Sequence, residues 1–140
     1  MPTQSAIQSP SARPGRLIFM KLVVMDLIAM MAFYNRVFGL IKTQTIENDE
    51  ILEVVLQRSE DDRGPSLVLY TYKDGRKVSP GTAHGAVGFT VDDVDKVYAE
   101  AIAAGATSLF EPFESPGVRV ALFNDPEGHE IELLRFARPG

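Results

Sequence analysis

The sequence repeats one pattern of elements, and this internal repeat constrains the fold more than any other feature. An apolar strand over 17–24 precedes Asp26, which stands where a helix N-cap is expected, and a helical pattern follows. A second strand over 85–91 precedes Asp93 and another helix. The two capping residues lie 67 positions apart, near half of the 140-residue chain. Because two or three strands follow each helix, the repeat predicts a duplicated βαβββ module whose sheet packs its helix on one face.

We therefore predict an α+β fold in which two βαβββ modules form a cupped mixed β-sheet. A single domain is expected over 17–140, with module one at about 17–72 and module two at about 85–136. A Gly- and Pro-containing linker at about 73–84 joins the modules. Residues 1–16 lack periodicity and are predicted to be a disordered leader.

Composition excludes several classes of function. The formal net charge is −5 and no basic stripe is present, which argues against nucleic acid as a partner. The chain has no cysteine, so disulfides, thiolate metal sites and cysteine nucleophiles are excluded. Lys21 and Asp26 interrupt the apolar run over 17–34, which argues against a signal peptide and a membrane span. We expect a cytoplasmic protein without a membrane partner.

A tight turn and an alternating strand lie near the C-terminus. Asp125 to Gly128 has the composition of a turn, because Pro presets φ and Gly accepts the strained exit. In the strand that follows, alternate apolar residues can face the core, which leaves Glu130 and Glu132 on the opposite face. Such carboxylates are either solvated or point into a pocket.

Five motifs, taken together in this order, resemble the vicinal oxygen chelate superfamily, which includes glyoxalase I, extradiol dioxygenases and bleomycin-resistance binding proteins. They are Asp26-Leu27, Phe33 to Leu40, Val91 to Val94, Ala104 to Ala106, and Asp125 to Gly128 continuing through Leu133. The resemblance covers Leu17 to Phe136 and implies paired βαβββ modules whose sheets form a cup, usually in a homodimer.

Metal-using members of that superfamily place four ligands, commonly His and Glu, on cup strands. Position by position, the resemblance puts the first ligand at Phe19, the second at Ala86 and the fourth at Glu132. The third would come from 66–72, where no carboxylate or imidazole occurs. One ligand of four cannot hold a divalent ion, so we predict no metal cofactor.

The chain has two histidines that could replace the missing ligands. His84 lies two residues before Ala86, and only a register shift would bring it to the cup, so a histidine at a loop end is the favoured interpretation. His129 follows Gly128 and is predicted to be exposed in the turn.

Strand alternation instead predicts a mainly apolar cavity with space beside its small residues, a setting typical of small-molecule sites. The predicted ligand-binding residues are Phe19, Lys21, Tyr70, Tyr72, Ala86, Gly88, Thr90, Val120, Leu122, Glu132 and Leu134.

Lys21 and Glu132 are the polar anchors of this predicted cup. In one interpretation they form a salt bridge that replaces the metal as a cross-link, within the chain or across a dimer. In the other they are catalytic: Lys21 binds an anionic or carbonyl group, and Glu132 accepts a hydrogen bond or moves a proton.

Three functions follow from these observations. The first is a superfamily protein with a depleted metal site that binds an apolar or aromatic small molecule in its cup. The alternative is a glyoxalase-like lyase or isomerase, or a dioxygenase-type enzyme, with an atypical metal site or metal-free acid–base chemistry by Glu132 and Lys21. The third is a non-catalytic structural or regulatory partner whose own side chains fill the cup.

Overall fold

The computed structural model describes residues 14–138, which form eight strands and two helices. In chain order the elements are β1 (Phe19–Val23), α1 (Leu27–Phe38), β2 (Ile41–Glu47), β3 (Ile51–Gln57), β4 (Ser66–Tyr72), β5 (Val87–Thr90), α2 (Val94–Ala103), β6 (Thr107–Ser115), β7 (Val118–Asn124) and β8 (Glu130–Phe136). The predicted leader falls almost wholly outside the described residues.

The strands form two four-stranded sheets with the same topology. The first has the order β1-β4-β3-β2, and the second has the order β5-β8-β7-β6. In each sheet the first strand pairs in parallel with the last, and the other pairs are antiparallel. The α+β fold of two βαβββ modules, each with its own mixed sheet, is therefore confirmed.

The helices begin where the sequence predicts. The Asp26 carboxylate accepts a hydrogen bond from the backbone N–H of Ala29 at 3.0 Å, and Asp93 accepts one from Lys96 at 3.1 Å. Each bond satisfies one of the free N–H groups of a first helical turn. Helix α1 ends at Gly39, whose φ of 70° is the left-handed conformation that favours glycine.

One apolar core receives side chains from both modules. Phe38 of α1 stacks on Phe89 of β5 with ring centroids 3.9 Å apart, and Phe33 meets the edge of Phe123 at 6.2 Å. Helix α1 thus packs against strands of the second module as well as those of its own. Val68 and Val120 are also buried, but they lie outside this core, as expected for residues on the opposite faces of their sheets.

The sixth strand differs from its prediction. The sequence predicted a strand over 107–110 and a loop from Pro112, but β6 continues through Pro112 to Ser115. The prediction of a loop at Pro112 is wrong because β6 is an edge strand that pairs with β7 alone. A proline is tolerated there, since its missing N–H costs no ladder bond on the open side. Register shifts between Ser108 and Phe113 accommodate it.

Within the described part of the chain, no helix has the length and apolar character needed to cross a membrane.

Candidate functional site

An ion pair of module one lies on the sheet face opposite the core. Lys21 Nζ lies 3.0 Å from Glu53 Oε2, so the lysine reaches from β1 across β4 to β3. The Glu53 side chain is only 8% exposed, whereas that of Lys21 is 40% exposed. A carboxylate buried to this degree needs a charged or hydrogen-bonding partner, and Lys21 supplies it.

Aromatic rings surround this pair. Lys21 Nζ lies 5.5 Å from the ring centroid of Phe19 and 5.2 Å from that of Tyr70, both within cation–π distance. Tyr72 meets Tyr70 edge to face at 5.1 Å, and the Arg76 guanidinium covers Tyr72 at 3.9 Å. We call the group that follows the Lys21–Glu53 cluster. It consists of Phe19, Lys21, Glu53, Tyr70, Tyr72 and Arg76.

The corresponding face of module two is small and apolar around one carboxylate. Adjacent strands place six predicted site residues in two rows, one with Gly88, Glu132 and Leu122 and the next with Thr90, Leu134 and Val120. Ala86 directly precedes β5. Glu132 is half-buried in this face. Three phenylalanines, Phe110, Phe113 and Phe136, are exposed farther along it.

The structure corrects the predicted pairing of Lys21. Within the chain, Lys21 pairs with Glu53 and not with Glu132, because Lys21 and Glu53 share the first sheet and Glu132 belongs to the second. Sequence reasoning missed Glu53. Its signal was present: Glu53 is the only charged residue in β3, and its position alternates with the core residues Val54 and Leu56. A lone carboxylate in a nearly apolar central strand needs a partner.

A cavity of about 560 Å³ lies along the open edge of β1. Its walls include both faces of that strand, the segment 79–85, and the turn that precedes β8. Among the predicted site residues, only Lys21 and His84 line it, together with polar groups such as Glu130 and Asn124. The cavity therefore meets the Lys21–Glu53 cluster at Lys21 and places His84 nearby.

His129 is buried, so its predicted exposure in the turn is wrong. Its Nδ1 lies 2.9 Å from Asp125 Oδ2, and its Nε2 lies 2.9 Å from the Val23 carbonyl oxygen. Tyr34 O–H donates to the same Asp125 carboxylate at 2.7 Å. The turn was predicted correctly, but its docking against β1 and α1 could not be read from local sequence.

Both neighbours of the His129 ring are hydrogen-bond acceptors, and only a doubly protonated imidazole can donate to both. Burial by itself lowers the pKa of His129, but the hydrogen bond and negative charge of Asp125 outweigh it and leave that pKa raised. Burial, followed by the charge of Asp125, also raises the pKa of Tyr34 far above its usual value.

Glu127 of the same turn joins the two modules at the start of α1. Its two carboxylate oxygens accept the backbone N–H groups of Met25 at 2.7 Å and Asp26 at 2.8 Å. A carboxylate beside a helix N-terminus also interacts favourably with the helix dipole. This turn thus acts as a structural connection between modules.

The four ligand positions do not fit a metal ion. The strand registers pair Lys21 with Val68 and Gly88 with Glu132, so Val68 is the module-one equivalent of Glu132. The four positions are thus Phe19, Val68, Ala86 and Glu132, with one donor among them. Nowhere in residues 14–138 do three His, Asp or Glu side chains form a group suited to a metal.

Comparison with known proteins bears on this geometry. The family model of the Glyoxalase/Bleomycin resistance protein/Dioxygenase superfamily matches residues 16–133. The chain belongs to this superfamily. No curated protein matches the sequence significantly.

Solved structures of the superfamily share the fold. A glyoxalase I mutant from Zea mays superposes with a TM-score of 0.78 at 25% identity, over 87% of this chain and 46% of that one. The trypanothione-dependent glyoxalase I of Leishmania major gives a TM-score of 0.75 at 23% identity, over 86% of both chains. A family enzyme from Burkholderia phytofirmans PsJN gives 0.64 at 24% identity, over 87% and 99%. The chain spans about half the length of the maize protein.

Proposed function

We propose that this superfamily member has a depleted metal site and binds an apolar or aromatic small molecule on the sheet faces opposite its core. The proposal rests on which residues occupy the four positions that hold metal ligands in other members of the superfamily. Phe19, Val68 and Ala86 cannot donate to a metal, and Phe19 is instead one wall of an aromatic cluster around a buried ion pair. Apolar walls with a few placed polar groups are typical of small-molecule sites.

The cavity beside β1 supports the same proposal. Its volume of about 560 Å³ is in the range of small-molecule pockets. Lys21 contributes to both the cavity and the Lys21–Glu53 cluster, so a ligand in the cavity can contact Lys21, the more exposed member of the charged pair. We propose that Tyr70 and Tyr72 orient the ligand, and that the apolar face around Leu122 and Leu134 completes the site.

Elemental analysis of purified protein tests the metal part of the proposal, together with thermal unfolding in the presence of zinc, nickel, manganese or iron(II). We expect no stoichiometric metal and no rise in Tm. An ion that bound the folded state at a concentration 100 times its Kd would stabilise it by about 2.7 kcal/mol, which a thermal shift detects. Such a shift, or one bound metal per chain, would contradict the depleted metal site and favour a metal-dependent lyase or dioxygenase.

Fluorescence titration with a naphthyl compound tests the binding part. The chain contains no tryptophan, so naphthyl fluorescence excited beyond the tyrosine band has little protein background. We expect saturable binding that is weakened at least tenfold by Tyr70→Ala, which removes an aromatic contact. A suitable control is Tyr98→Ala, since Tyr98 bonds Ser108 away from the Lys21–Glu53 cluster.

A metal-free acid–base enzyme is the second candidate. Glu132 favours it, because this carboxylate is kept at a ligand position and is half-buried on an apolar face beside Leu122. Once a substrate is known, Glu132→Gln tests it. Loss of turnover with unchanged ligand affinity supports catalysis, whereas equal turnover refutes a catalytic Glu132.

We also propose that the protein is a homodimer in the cytoplasm. The dimer is supported by the exposed rings of Phe110, Phe113 and Phe136, which a second copy would cover. Sedimentation equilibrium tests it, with Phe110→Asp expected to shift the mass toward the monomer.

A further inference from the structure

We infer that the Lys21–Glu53 pair selects an uncharged aromatic ligand that carries a hydrogen-bond acceptor beside a donor, as an aromatic amide does. The inference rests on the proposed function, because it names the class of molecule that the same face binds. It depends on the pairing of Lys21 with Glu53, which the sequence had not predicted.

The Lys21–Glu53 pair leaves part of its hydrogen-bonding capacity unused. The Lys21 ammonium has three N–H donors, and Glu53 Oε2 accepts one of them. No fully buried side-chain oxygen or nitrogen in the described residues lacks a partner. Glu53 Oε1 receives none of the described hydrogen bonds, so this oxygen is not fully buried. The pair thus presents free donors on Lys21 beside a free acceptor on Glu53.

The charge of the pair favours an uncharged ligand. The pair is neutral as a unit, and Glu53 is buried. An anionic ligand would place two negative groups around the single ammonium of Lys21, and a cationic ligand would place two positive groups around the single carboxylate. An uncharged ligand with an acceptor beside a donor can bond to both Lys21 and Glu53 without adding a charge to this partly desolvated site.

The aromatic rings around the pair favour a flat aromatic ligand. Phe19 and Tyr70 lie within 5.5 Å and 5.2 Å of the Lys21 ammonium, and Tyr72 extends the aromatic wall from Tyr70. When the polar edge of a ligand bonds to the ion pair, the rest of the ligand therefore lies between or beside these rings. A flat aromatic body gains offset-stacked or edge-to-face contacts there that a branched aliphatic body does not.

Four naphthyl probes separate the contributions of hydrogen bonding and charge from that of the aromatic ring: 2-naphthamide, methyl 2-naphthoate, 2-naphthoate and 2-methylnaphthalene. They share the ring, and they present respectively an acceptor beside a donor, an acceptor alone, an anion and neither group. We expect 2-naphthamide to bind about tenfold or more tightly than each of the others, as one hydrogen bond to a charged group allows.

The double variant Lys21→Met/Glu53→Leu assigns that preference to the pair. Apolar residues of similar size often replace a buried ion pair without loss of folding. We expect the variant to bind all four probes with affinities within about threefold of one another. Lys73→Met/Glu47→Leu is the matched control, because Lys73 and Glu47 form an ion pair outside the Lys21–Glu53 cluster, and the Glu47 side chain is 54% exposed. It should retain the full preference for the amide.

If the double variant proves unstable, Glu53→Gln tests the inference alone. The new amide keeps an acceptor but removes the charge, and the amide preference should fall. Equal binding of the four probes by the native protein, or tighter binding of 2-naphthoate, overturns the inference and leaves the proposed function standing. Failure of every probe to bind overturns the proposed function as well.

Discussion

The two modules have the same strand topology, but the sheet faces opposite the core carry different types of side chain. The strand registers show which positions of the two modules are equivalent. Lys21 corresponds to Gly88, Glu53 to Val120 and Tyr70 to Leu134. Module one thus holds a charged pair among aromatic rings, and module two holds small and aliphatic residues around Glu132.

This difference is confined to one face of each sheet. On the other face both modules supply Val and Leu residues to a single core, and both helices are capped by an aspartate. The core face is restricted by close packing, whereas the open face tolerates changes of residue type. The comparison therefore locates the chemistry that differs between modules at the Lys21–Glu53 cluster.

The largest effect is expected at the turn that joins the modules. Asp125→Ala removes the acceptor of Tyr34 and His129 and leaves a buried imidazolium without its carboxylate. Breaking a buried pair costs about 3–5 kcal/mol, so we expect the free energy of unfolding in urea to fall by that amount. Asp74→Ala in the turn after β4 is the control, and its pair with exposed Arg76 should contribute little. Similar losses for both variants would contradict the importance of the turn.

Exchanging the residue types at the equivalent positions Glu53 and Val120 tests the asymmetry of the two faces. Val120→Glu buries a carboxylate without the lysine that module one provides, and it should lower the free energy of unfolding by about 2–4 kcal/mol. Glu53→Val leaves Lys21 able to turn toward solvent, so its cost should be about 1 kcal/mol or less. Chemical denaturation measures both. Equal costs would show that the faces are interchangeable.

The pH dependence of stability should report His129. Its pKa is raised in the folded state, so its contribution is complete below the ordinary value of 6.5 and is lost as pH rises through the folded pKa. The free energy of unfolding should therefore fall with rising pH above about 6, by at most about 1.4 kcal/mol per pH unit from this group. His129→Gln should flatten the profile, and His84→Gln is the control. An unchanged slope in His129→Gln would contradict a protonated His129.

The smallest loss of stability is expected at the aspartate N-caps, which both modules share. Asp26→Ala and Asp93→Ala each remove one bond to a free helix N–H, and each should cost about 1 kcal/mol in thermal or urea unfolding. A much larger loss for Asp26→Ala would mean that the Glu127 bonds at the start of α1 depend on Asp26.

The features that could be read from the sequence are local ones. Caps at Asp26 and Asp93, the glycine after α1 and the alternation of β8 each depend on a few neighbouring residues. Repetition of these signals was enough to predict two βαβββ modules. The path of β6 through Pro112 was missed, because a proline stops a central strand but not an edge strand.

The candidate site was only partly predictable. Alternation assigned Phe19, Lys21, Glu132 and Leu134 to one cup, and the structure places the first two in β1 of the first sheet and the other two in β8 of the second. The partner of Lys21 was not predictable in this way, since Glu53 lies 32 residues away and two strands across the sheet. Nothing local to His129 indicated that its ring would bond Val23, 106 residues earlier.

By itself, the sequence determined the elements and their order, because capping, periodicity and turn chemistry act over short distances along the chain. Its motifs also carried the resemblance to the superfamily. Tertiary structure alone decided which charges pair and which turn is buried. Those outcomes depend on strand order and on the docking of one module against the other, which bring together groups that no local pattern relates. Lys21 with Glu53 and His129 with Val23 are the two clearest cases in this protein.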